Sequence, residues 1–342
     1  MRVMQVMAGA EFGGAEAFFT RLVIGLRRAR LHQRVIIRKN AHRSEQLREG
    51  GLEPVELAFR GPLDLSTKLS LRREVASFKP DVVMTWMNRA TSMSPAGKFV
   101  HVARLGGYYD LKYYQKCDHL VGNTVDIVDY LSGQGWPGGR AHYLPNFVSA
   151  ETAVPVARSA YYTPPDAPLL LAMGRLHENK AFDVLIEALV RVPDAYLWLA
   201  GEGPDHQKLE ALAEKKGVKP RLRFLGWRDD TAALLATCDL FICPSRHEPL
   251  GNVVVEAWAQ KVPVVAADSL GPGVLIKNGD NGVLVPIDDA ASLAFAIRRM
   301  LDDNALRAKV AAAGYVSYEE KFTEEIVVKK YMDFFDSLVD KE

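Results

Sequence analysis

The sequence has little cysteine and no long apolar run. Its three cysteines, Cys117, Cys238 and Cys243, include no CxxC pair, so neither a disulfide framework nor a zinc site is indicated, and buried thiols are expected. No stretch of about 18 apolar residues occurs, and the opening residues MRVMQVMAGA lack the pattern of a signal peptide. We therefore expect a cytoplasmic protein, with peripheral contact to the inner face of the membrane as the alternative.

The composition is that of an ordinary globular protein with room for two domains. Of 342 residues, 48% are hydrophobic and 25% are charged. The net charge of +1 conceals an asymmetry, because residues 1–150 carry a net charge of +8 and residues 151–342 a net charge of −7. The basic half suits an anionic acceptor or an acidic membrane surface, although it could equally be a solubility pattern. A sequence pI of about 7.7 does not favour nucleic-acid binding.

Short β-branched or apolar runs alternate with helix-period segments in both halves of the chain. This alternation predicts parallel sheets covered by helices, and two such series predict two doubly wound α/β domains. The predicted strands lie near residues 2–8, 34–39, 81–86, 99–104, 119–123 and 142–146, and near 169–174, 196–201, 222–226, 239–244, 262–267 and 282–286. Ligands of open α/β sheets bind beyond the carboxyl ends of the strands, so a site between the two domains is expected.

A proline-rich stretch predicts the domain boundary. Residues 149–168 contain four prolines and no clear period, as a linker does. The predicted divisions are an N-terminal domain over 1–148, a linker over 149–167 and a C-terminal domain over 168–322. The amphipathic helix at 323–342 is predicted to begin with an acidic first turn and to need a packing partner.

Two glutamates eight positions apart mark the most informative segment, HEPLGNVVVEAWAQKVPVV. Glu248 lies in a loop after a predicted strand, and Gly251 begins a predicted helix that carries Glu256 in its second turn. The first N–H groups of a helix are free donors with a partial positive charge, so they favour a phosphate or a sugar hydroxyl. Carboxylates accept hydrogen bonds from hydroxyls. The pattern therefore predicts hydroxyl recognition by both glutamates, with an anion held between them.

Cations and glycines at two other strand ends fit the same ligand. Arg175 follows a predicted strand, and Lys180 is expected to begin the next helix; an arginine fork and a lysine charge suit a diphosphate. Gly13 and Gly14 precede the first predicted helix, where glycines let the backbone approach a ligand closely. Each signal is weak alone, because a lone loop cation is usually solvated and a GG turn is not a GxGxxG fingerprint.

Residues 168–300 resemble the C-terminal half of glycosyltransferase family 4. The resemblance rests on MGRLHENKAFDVLIEAL, LAGEGPDHQKLEALA, RFLGW, LFICPSRHEPLGNVVVEAWAQKVPVVAAD and NGVLVP, and more weakly on GGAE and PNFV in the N-terminal half. It implies the GT-B fold, two Rossmann-like domains facing each other across a cleft. It also implies a retaining hexosyltransferase that uses a nucleotide diphosphate sugar without a cofactor or a metal. A glycan or lipid-linked acceptor in lipopolysaccharide or envelope glycan synthesis is expected.

The resemblance also implies roles for individual residues. Arg175 and Lys180 would contact the donor diphosphate, and Glu248 would hold hydroxyls of the transferred sugar. The ribose hydroxyls would be bound by Glu256. The remaining donor contacts would come from Leu250, Gly251 and Asn252, and from Gly13 and Gly14. The last helix would return to the N-terminal domain.

The N-terminal half departs from that family at one position. Members often carry a catalytic-site histidine after the strand corresponding to FVHVAR, but this chain reads RLGG over residues 104–107. His101 lies within the strand itself. The polar candidates to replace the histidine are Asn88, Arg89, Arg104 and Asp110, and the sequence does not choose among them.

Other functions remain open at this point. A nucleotide-sugar epimerase could use the same fold, and a non-catalytic nucleotide-sugar binding protein would explain the missing histidine. A Rossmann dehydrogenase is disfavoured because no GxGxxG follows the first strand. Helix 15–30 combines aromatic residues with arginines and could lie on a membrane, although packing on the first sheet is the somewhat better interpretation.

Overall fold

The computed structural model describes residues 1–11, 13–61, 63–151 and 153–339. The chain divides into two compact units. The first comprises Met1–Phe147 together with the C-terminal segment from Glu324, and the second comprises Val148–Thr323. Each unit is a parallel sheet with helices in its crossover connections, so the predicted doubly wound α/β class is confirmed.

The first unit contains a seven-stranded sheet in the order β3-β2-β1-β4-β5-β6-β7. All its strand pairs are parallel. Its strands are β1 (Arg2–Met7), β2 (His32–Arg38), β3 (Val55–Leu57), β4 (Val82–Trp86), β5 (Val100–Leu105), β6 (His119–Gly122) and β7 (Ala141–Tyr143). Its helices are α1 (Gly14–Arg28), α2 (Ala41–Glu49), α3 (Leu65–Phe78), α4 (Met87–Met93), α5 (Val125–Gly133) and the returning α13 (Glu324–Val339).

Alternate residues of β1 face two different hydrophobic layers, as the two-residue period of a strand requires. Val3 and Met7 pack with α1 and α13 on one face, whereas Met4 and Val6 pack with α3 and α4 on the other. The apolar stripe of α13, including Val327, Val328 and Tyr331, is buried in the first of these layers (Phe334 and Phe335 extend it).

The second unit contains a six-stranded parallel sheet in the order β10-β9-β8-β11-β12-β13. Its strands are β8 (Leu169–Met173), β9 (Tyr196–Ala200), β10 (Leu222–Gly226), β11 (Leu240–Cys243), β12 (Val264–Ala267) and β13 (Val283–Val285). Its helices are α6 (Phe182–Leu189), α7 (His206–Lys215), α8 (Thr231–Thr237), α9 (Asn252–Ala259), α10 (Leu270–Leu275), α11 (Ala290–Asp302) and α12 (Asn304–Lys321).

The central strands β8 and β11 are buried along their whole length and read as continuous apolar runs, which is typical of parallel strands covered on both faces. Two hydrophobic layers enclose the sheet. One contains α6 and α11, and the other contains α9 with Tyr318 and Phe322. The carboxyl ends of β8 and β11 lie side by side because these strands pair directly.

Three local features differ from the expectations drawn from the sequence. The three-residue strand β3 was not predicted, because so short a run carries no measurable alternation. Lys180 does not begin a helix but ends a 3-10 turn, Glu178–Lys180, and α6 begins at Phe182. The predicted linker groups with the second unit, where Arg158 donates to the carboxylate of Asp239 at 3.0 Å.

Among the described residues, no helix is long and apolar enough to cross a membrane. The apolar stripe of α1 packs inside the first unit. Its fully buried side chains are Phe18, Phe19, Leu22 and Val23. Helix packing, and not membrane contact, therefore explains the aromatic residues of this helix.

Candidate functional site

The loop between β11 and α9 holds Glu248 in a fixed position. The residue is only 8% exposed, and its Oε2 forms an ion pair with Nζ of Lys180. Its Oε1 accepts the N–H of Gly251 at 3.4 Å, and its carbonyl accepts the N–H of Gly271 at 2.7 Å. A buried carboxylate is therefore presented beside a lysine at the start of a helix.

Gly251 allows α9 to begin immediately after this loop. It is the N-terminal cap with φ +66°, and a Cβ there would lie 2.7 Å from Cδ1 of Leu275. A non-glycine residue would meet both a strained backbone and an occupied space. The N-terminal end of α9, which carries the partial positive charge of a helix start, therefore lies directly beside this loop.

Lys180 and Arg175 stand in the loop after β8. Ala181, with φ +51°, separates the 3-10 turn that ends at Lys180 from α6. The stem of Lys180 runs alongside Gly174, since a Cβ on that glycine would lie 3.1 Å from Cε of the lysine. The guanidinium of Arg175 is exposed and makes no ion pair or hydrogen bond with any described residue. One cation is therefore engaged with Glu248 while the other is available to a ligand.

Arg246 ties the Lys180 loop to the Glu248 loop. Its Nη1 donates to the carbonyl of Glu178 at 2.7 Å and to Oδ1 of Asp183 at 2.9 Å, and its Nη2 donates to Oδ2 of Asp183 at 2.7 Å. Its Nε pairs with Asp288 at 2.5 Å. A backbone bond from the N–H of His247 to Asn179, 3.1 Å long, reinforces the junction.

The charges in this junction are mutually stabilised. Burial alone would raise the pKa of Asp183, but hydrogen bonds and charge from Arg246 outweigh it, and the pKa lies below its usual value. Hydrogen bonding to Asp183 in turn raises the pKa of Arg246. Ala181 and Asp288, on either side of the junction, both have positive φ, and such strain persists only where surrounding structure imposes it.

The remaining predicted donor contacts of the second unit lie at the start of α9 and within it. Leu250 and Asn252 are half-buried on either side of Gly251, and Glu256 is half-buried in the second helical turn. At 1.5 Å per residue, Glu256 lies roughly 6 Å along the axis from the first helical residue. Glu248 and Glu256 thus occupy the loop and the helix that the sequence predicts.

Gly13 is the N-terminal cap of α1 and Gly14 its first residue, after the carboxyl end of β1, and both are exposed. The buried carboxylate of Glu16 folds under this loop, where its Oε1 accepts the N–H of Ala10 at 2.7 Å. Nη2 of the buried Arg43 donates to the carbonyl of Ala10 at 3.0 Å. The glycine loop is therefore held from below by an acidic and a basic side chain.

Arg104, a candidate to replace the missing histidine, is a core residue. It is 1% exposed and lies over the rings of Phe18 and Trp86, with its guanidinium carbon 4.7 Å and 4.5 Å from their centroids. Its Nε donates to the hydroxyl of Tyr331 at 3.0 Å, and its Nη2 donates to Asn146. These contacts join α13 to the first sheet and leave the guanidinium inaccessible to an acceptor.

The other three candidates differ in whether their side chains already have a bonding partner. Asn88 accepts a hydrogen bond from the hydroxyl of Tyr114, and Asp110 pairs with Nζ of Lys112 at 2.7 Å. Arg89, on α4 directly after β4, is exposed and forms no ion pair with the described residues. His101 is buried, and its Nε2 lies 3.1 Å from Oγ1 of Thr85. Arg89 is therefore the candidate with a free polar head at the carboxyl edge of this sheet.

Within the described ranges, no group of three or more His, Cys, Asp or Glu residues could hold a metal ion. Cys117 and Cys243 are buried and Cys238 is half-buried. Burial raises the pKa of the Cys117 thiol to about 12 and that of Cys243 to about 11. These thiols are therefore neutral core groups and not reactive ones.

Comparison with known proteins assigns the family. The family model described as "Glycosyl transferases group 1" matches residues 156–317. The chain is 39% identical over 333 residues to the lipopolysaccharide core biosynthesis glycosyltransferase LpsE of Rhizobium meliloti, covering 95% of this chain and 96% of that protein. The chain belongs to the group 1 glycosyltransferases.

Further similarities agree with this family. The glycosyltransferase is 37% identical over 346 residues to the lipopolysaccharide core biosynthesis glycosyltransferase LpsD of the same organism, covering 100% of both chains. The crystal structure of Anabaena Alr3699/HepE in complex with UDP and glucose has a TM-score of 0.83 at 18% identity, covering 98% of this chain and 99% of that one. The two Rossmann-like domains are those of the GT-B fold, as the resemblance implied.

Two residues of these loops were not singled out by the sequence. Arg246 stands two positions before Glu248, but its partner Asp183 is 63 positions away. Arg43 lies on α2, 33 positions from the carbonyl that it contacts. No local pattern links such pairs, although the arginine adjoining HEPLG was a visible signal.

Proposed function

We propose that this glycosyltransferase moves a hexose, with retention of configuration, from a nucleotide diphosphate sugar to a glycan or lipid-linked acceptor. Lipopolysaccharide core synthesis is the proposed setting, since two relatives that match nearly the whole chain carry that description in their names. The observation that carries the proposal is the buried Glu248, paired with Lys180 at the start of α9.

The donor diphosphate would lie against Arg175, Lys180 and the first N–H groups of α9. Negative charge grows on the diphosphate as the glycosyl carbon gains oxocarbenium character, and donors fixed in advance stabilise that charge. Arg175 is the exposed cation of this group, whereas Lys180 is already positioned by Glu248. No metal is needed in this scheme, because cations and backbone amides supply the positive charge.

The sugar and the nucleotide would be recognised at the two ends of the same helix start. Glu248 would accept hydroxyls of the transferred sugar, and Glu256 would accept the ribose hydroxyls. Leu250, Gly251 and Asn252 would contact the sugar or the phosphates through their backbone, and Gly13 and Gly14 are the proposed donor contacts of the first unit. Carboxylates suit hydroxyl ligands because they accept hydrogen bonds only.

The acceptor hydroxyl would attack the sugar on the face from which the diphosphate departs. An oxygen of the departing diphosphate would then take the proton of that hydroxyl. This scheme requires no protein base, so the absence of the usual histidine is compatible with transfer. Arg89 is the proposed polar contact on the acceptor side, because its head is exposed at the carboxyl edge of the first sheet. A lipid-linked acceptor would place the enzyme on the inner face of the membrane.

The first experiment is a panel of UDP-, GDP-, ADP- and dTDP-sugars, beginning with UDP-glucose. Thermal shift measures binding, and nucleotide release with and without a lipopolysaccharide-core acceptor measures transfer. Release that requires acceptor supports the proposal. Release without acceptor, accompanied by an altered sugar, would indicate an epimerase, and binding without release by any tested acceptor would indicate a binding protein.

Variants of the ion pair test the site itself. Lys180→Ala and Glu248→Ala should each lower transfer at least about 100-fold, the scale of losing one positioned transition-state contact. Lys219→Ala is the matched control, because Lys219 pairs with Glu210 in the same unit without lying at this loop. Normal turnover in a folded Lys180→Ala enzyme would refute the assignment.

A further inference from the structure

Three exposed leucines cluster at the start of α3. Leu63, Leu65 and Leu69 are 93%, 69% and 51% exposed, and Leu63 is the most exposed large hydrophobic residue among those described. α3 packs on the sheet through its opposite side, where Leu71 and Phe78 are buried. The three leucines therefore contribute nothing to the core, and a surface helix would ordinarily place polar residues there.

Unpaired arginines surround these leucines. On α3, Arg72 and Arg73 follow Leu69 and Leu65 at spacings of three and eight residues, which place them on the same face of the helix. They are exposed, as is Arg60 in the preceding loop, and none of the three forms an ion pair with a described residue. We call these six residues the leucine–arginine surface (Arg60, Leu63, Leu65, Leu69, Arg72 and Arg73).

The acidic residue within this segment does not offset its charge at the surface. Asp64 is 9% exposed and serves as the N-terminal cap of α3, where its Oδ1 accepts the N–H of Thr67 at 3.0 Å. Its Oδ2 accepts the N–H of Arg60 at 2.9 Å, and a further backbone bond joins the N–H of Leu65 to the carbonyl of Leu63 at 2.9 Å. The loop and the helix are thus held together, with positive charge and apolar side chains facing outward.

The location of the surface suits an acceptor that arrives in a membrane. Residues 58–61 follow β3, and Leu63 and Asp64 immediately precede α3, so Leu63 and Leu65 lie at the carboxyl edge of the first sheet. The Gly13–Gly14 loop and Arg89 follow β1 and β4 and lie at this same edge. A membrane contacted here would present its headgroups on the ligand-binding side of the unit.

We propose that the leucine–arginine surface docks this glycosyltransferase on an anionic lipid bilayer. Leucines would enter the boundary between headgroups and acyl chains, while arginines contact lipid phosphates, as in interfacial amphipathic segments. This inference names the surface for the membrane contact proposed above and rests on that part of the proposal. The inference assigns membrane contact to α3 and not to α1, since the apolar face of α1 is buried.

A second copy of the chain is a poorer occupant than a membrane. In a two-fold dimer the same patch meets itself, so the arginines of one copy would approach those of the other. Asp64, the one acidic residue in the sequence of residues 60–73, is buried. Charge complementarity therefore favours a negatively charged partner.

Vesicle co-sedimentation of the full chain tests the proposal. The probes are vesicles of phosphatidylcholine with phosphatidylglycerol, and vesicles of phosphatidylcholine alone. The triple variant Leu63→Ser, Leu65→Ser and Leu69→Ser should lower partitioning onto anionic vesicles at least about 10-fold. Arg72→Gln with Arg73→Gln should lower it about 25-fold, since each basic residue contributes about fivefold.

A matched control uses exposed apolar residues of the second unit. Phe295 on α11 and Val316 on α12 are 70% and 48% exposed, and the double variant Phe295→Ser, Val316→Ser should leave partitioning unchanged. Both sets of substitutions lie at the surface, so the thermal unfolding midpoint should hardly move.

The outcomes separate this inference from the proposed function. Equal partitioning of all variants, or equal partitioning onto neutral and anionic vesicles, would overturn the docking surface. Self-association that the leucine variant abolishes would overturn it too, because the occupant would then be a second copy. Donor binding is measured separately by thermal shift with sugar nucleotides. If the enzyme binds a donor but not vesicles, only the docking surface is refuted. If it binds vesicles but no donor, only the proposed function is refuted.

Discussion

Replacing Arg246 by lysine should weaken donor use without unfolding the second unit. The arginine makes two parallel bonds to Asp183 and one to the carbonyl of Glu178. Lysine keeps the charge but cannot reproduce this fork. Because the Glu178–Lys180 turn would lose one of its links to the Glu248 loop, Lys180 should become less well positioned for a donor diphosphate.

The structure sets the size of the expected effect. The side chains of Arg246 and Asp183 are 30% and 35% exposed, so solvent screening reduces their ion pair to about 1 kcal/mol. The carbonyl bond contributes about 1 kcal/mol more. A total of about 2 kcal/mol, if it acts wholly on positioning, corresponds to a fall of about 30-fold in kcat/KM for the donor.

Steady-state kinetics at varied donor concentration provide the assay, and Arg221→Lys provides the control. Arg221 donates to the carbonyls of Leu189, Val192 and Ala195 in the same unit. Its replacement should lower the unfolding midpoint by a similar amount while leaving the KM for the donor unchanged. Equal kinetic effects of the two variants would refute a positioning role for Arg246 and leave only a general structural one.

A pH profile gives a second readout of the same junction. The pKa of Asp183 is lowered in the folded protein, so its contribution to stability is complete above the ordinary aspartate value of about 4 and is lost as the pH falls through the lowered pKa. Asp183→Asn should remove this contribution at neutral pH. Combined with Arg246→Lys, it should add little further loss, because both changes break one interaction.

Three further predictions concern stability, all measured by chemical denaturation. Burial lowers the pKa of His101 to about 4, so wild type should lose up to about 3 kcal/mol relative to His101→Gln between pH 6.5 and pH 4, where only the unfolded histidine takes a proton; parallel pH curves would contradict this. Arg104→Met should cost about 3 kcal/mol, because buried acceptors such as the hydroxyl of Tyr331 lose their donor. Tyr331→Phe should cost only about 1 kcal/mol. An Arg104→Met protein as stable as wild type would show that these contacts are dispensable. Gly251→Ala should cost more than Gly217→Ala, since both have positive φ but only Gly251 is crowded; equal losses would place the whole effect in the backbone.

Most strands were predictable because their apolar runs are local signals. Twelve predicted strands have counterparts, and β3 is missing because Val55–Leu57 is too short to show a period. The turn that ends at Lys180 was mistaken for a helix start. It is separated from α6 by Ala181, whose positive φ cannot be predicted from the identity of the residue. Local conformations fixed by tertiary contacts leave no trace in sequence periodicity.

The candidate site was predictable only in part. Its carboxylates, cations and glycines stand at strand ends, where parallel sheets place ligand-binding loops, and their contacts with a donor stay a prediction. The interpretation of Arg104 as a possible acceptor contact was wrong, because the side chain is buried against Trp86 and Tyr331. An arginine in a loop and an arginine in a core have the same letter, and only packing distinguishes them.

By itself the sequence determined two α/β domains, the order of their strands along the chain and the Glu248–Glu256 segment, because periodicity and turn residues act over short distances. Only the tertiary structure decided which charges meet: Lys180 with Glu248, and Arg246 with Asp183, across 68 and 63 positions. It alone decided, too, that the leucines of α3 face solvent while the aromatic residues of α1 are buried. An amphipathic pattern specifies that a helix has an apolar side, but the partner that covers that side is supplied by the rest of the fold.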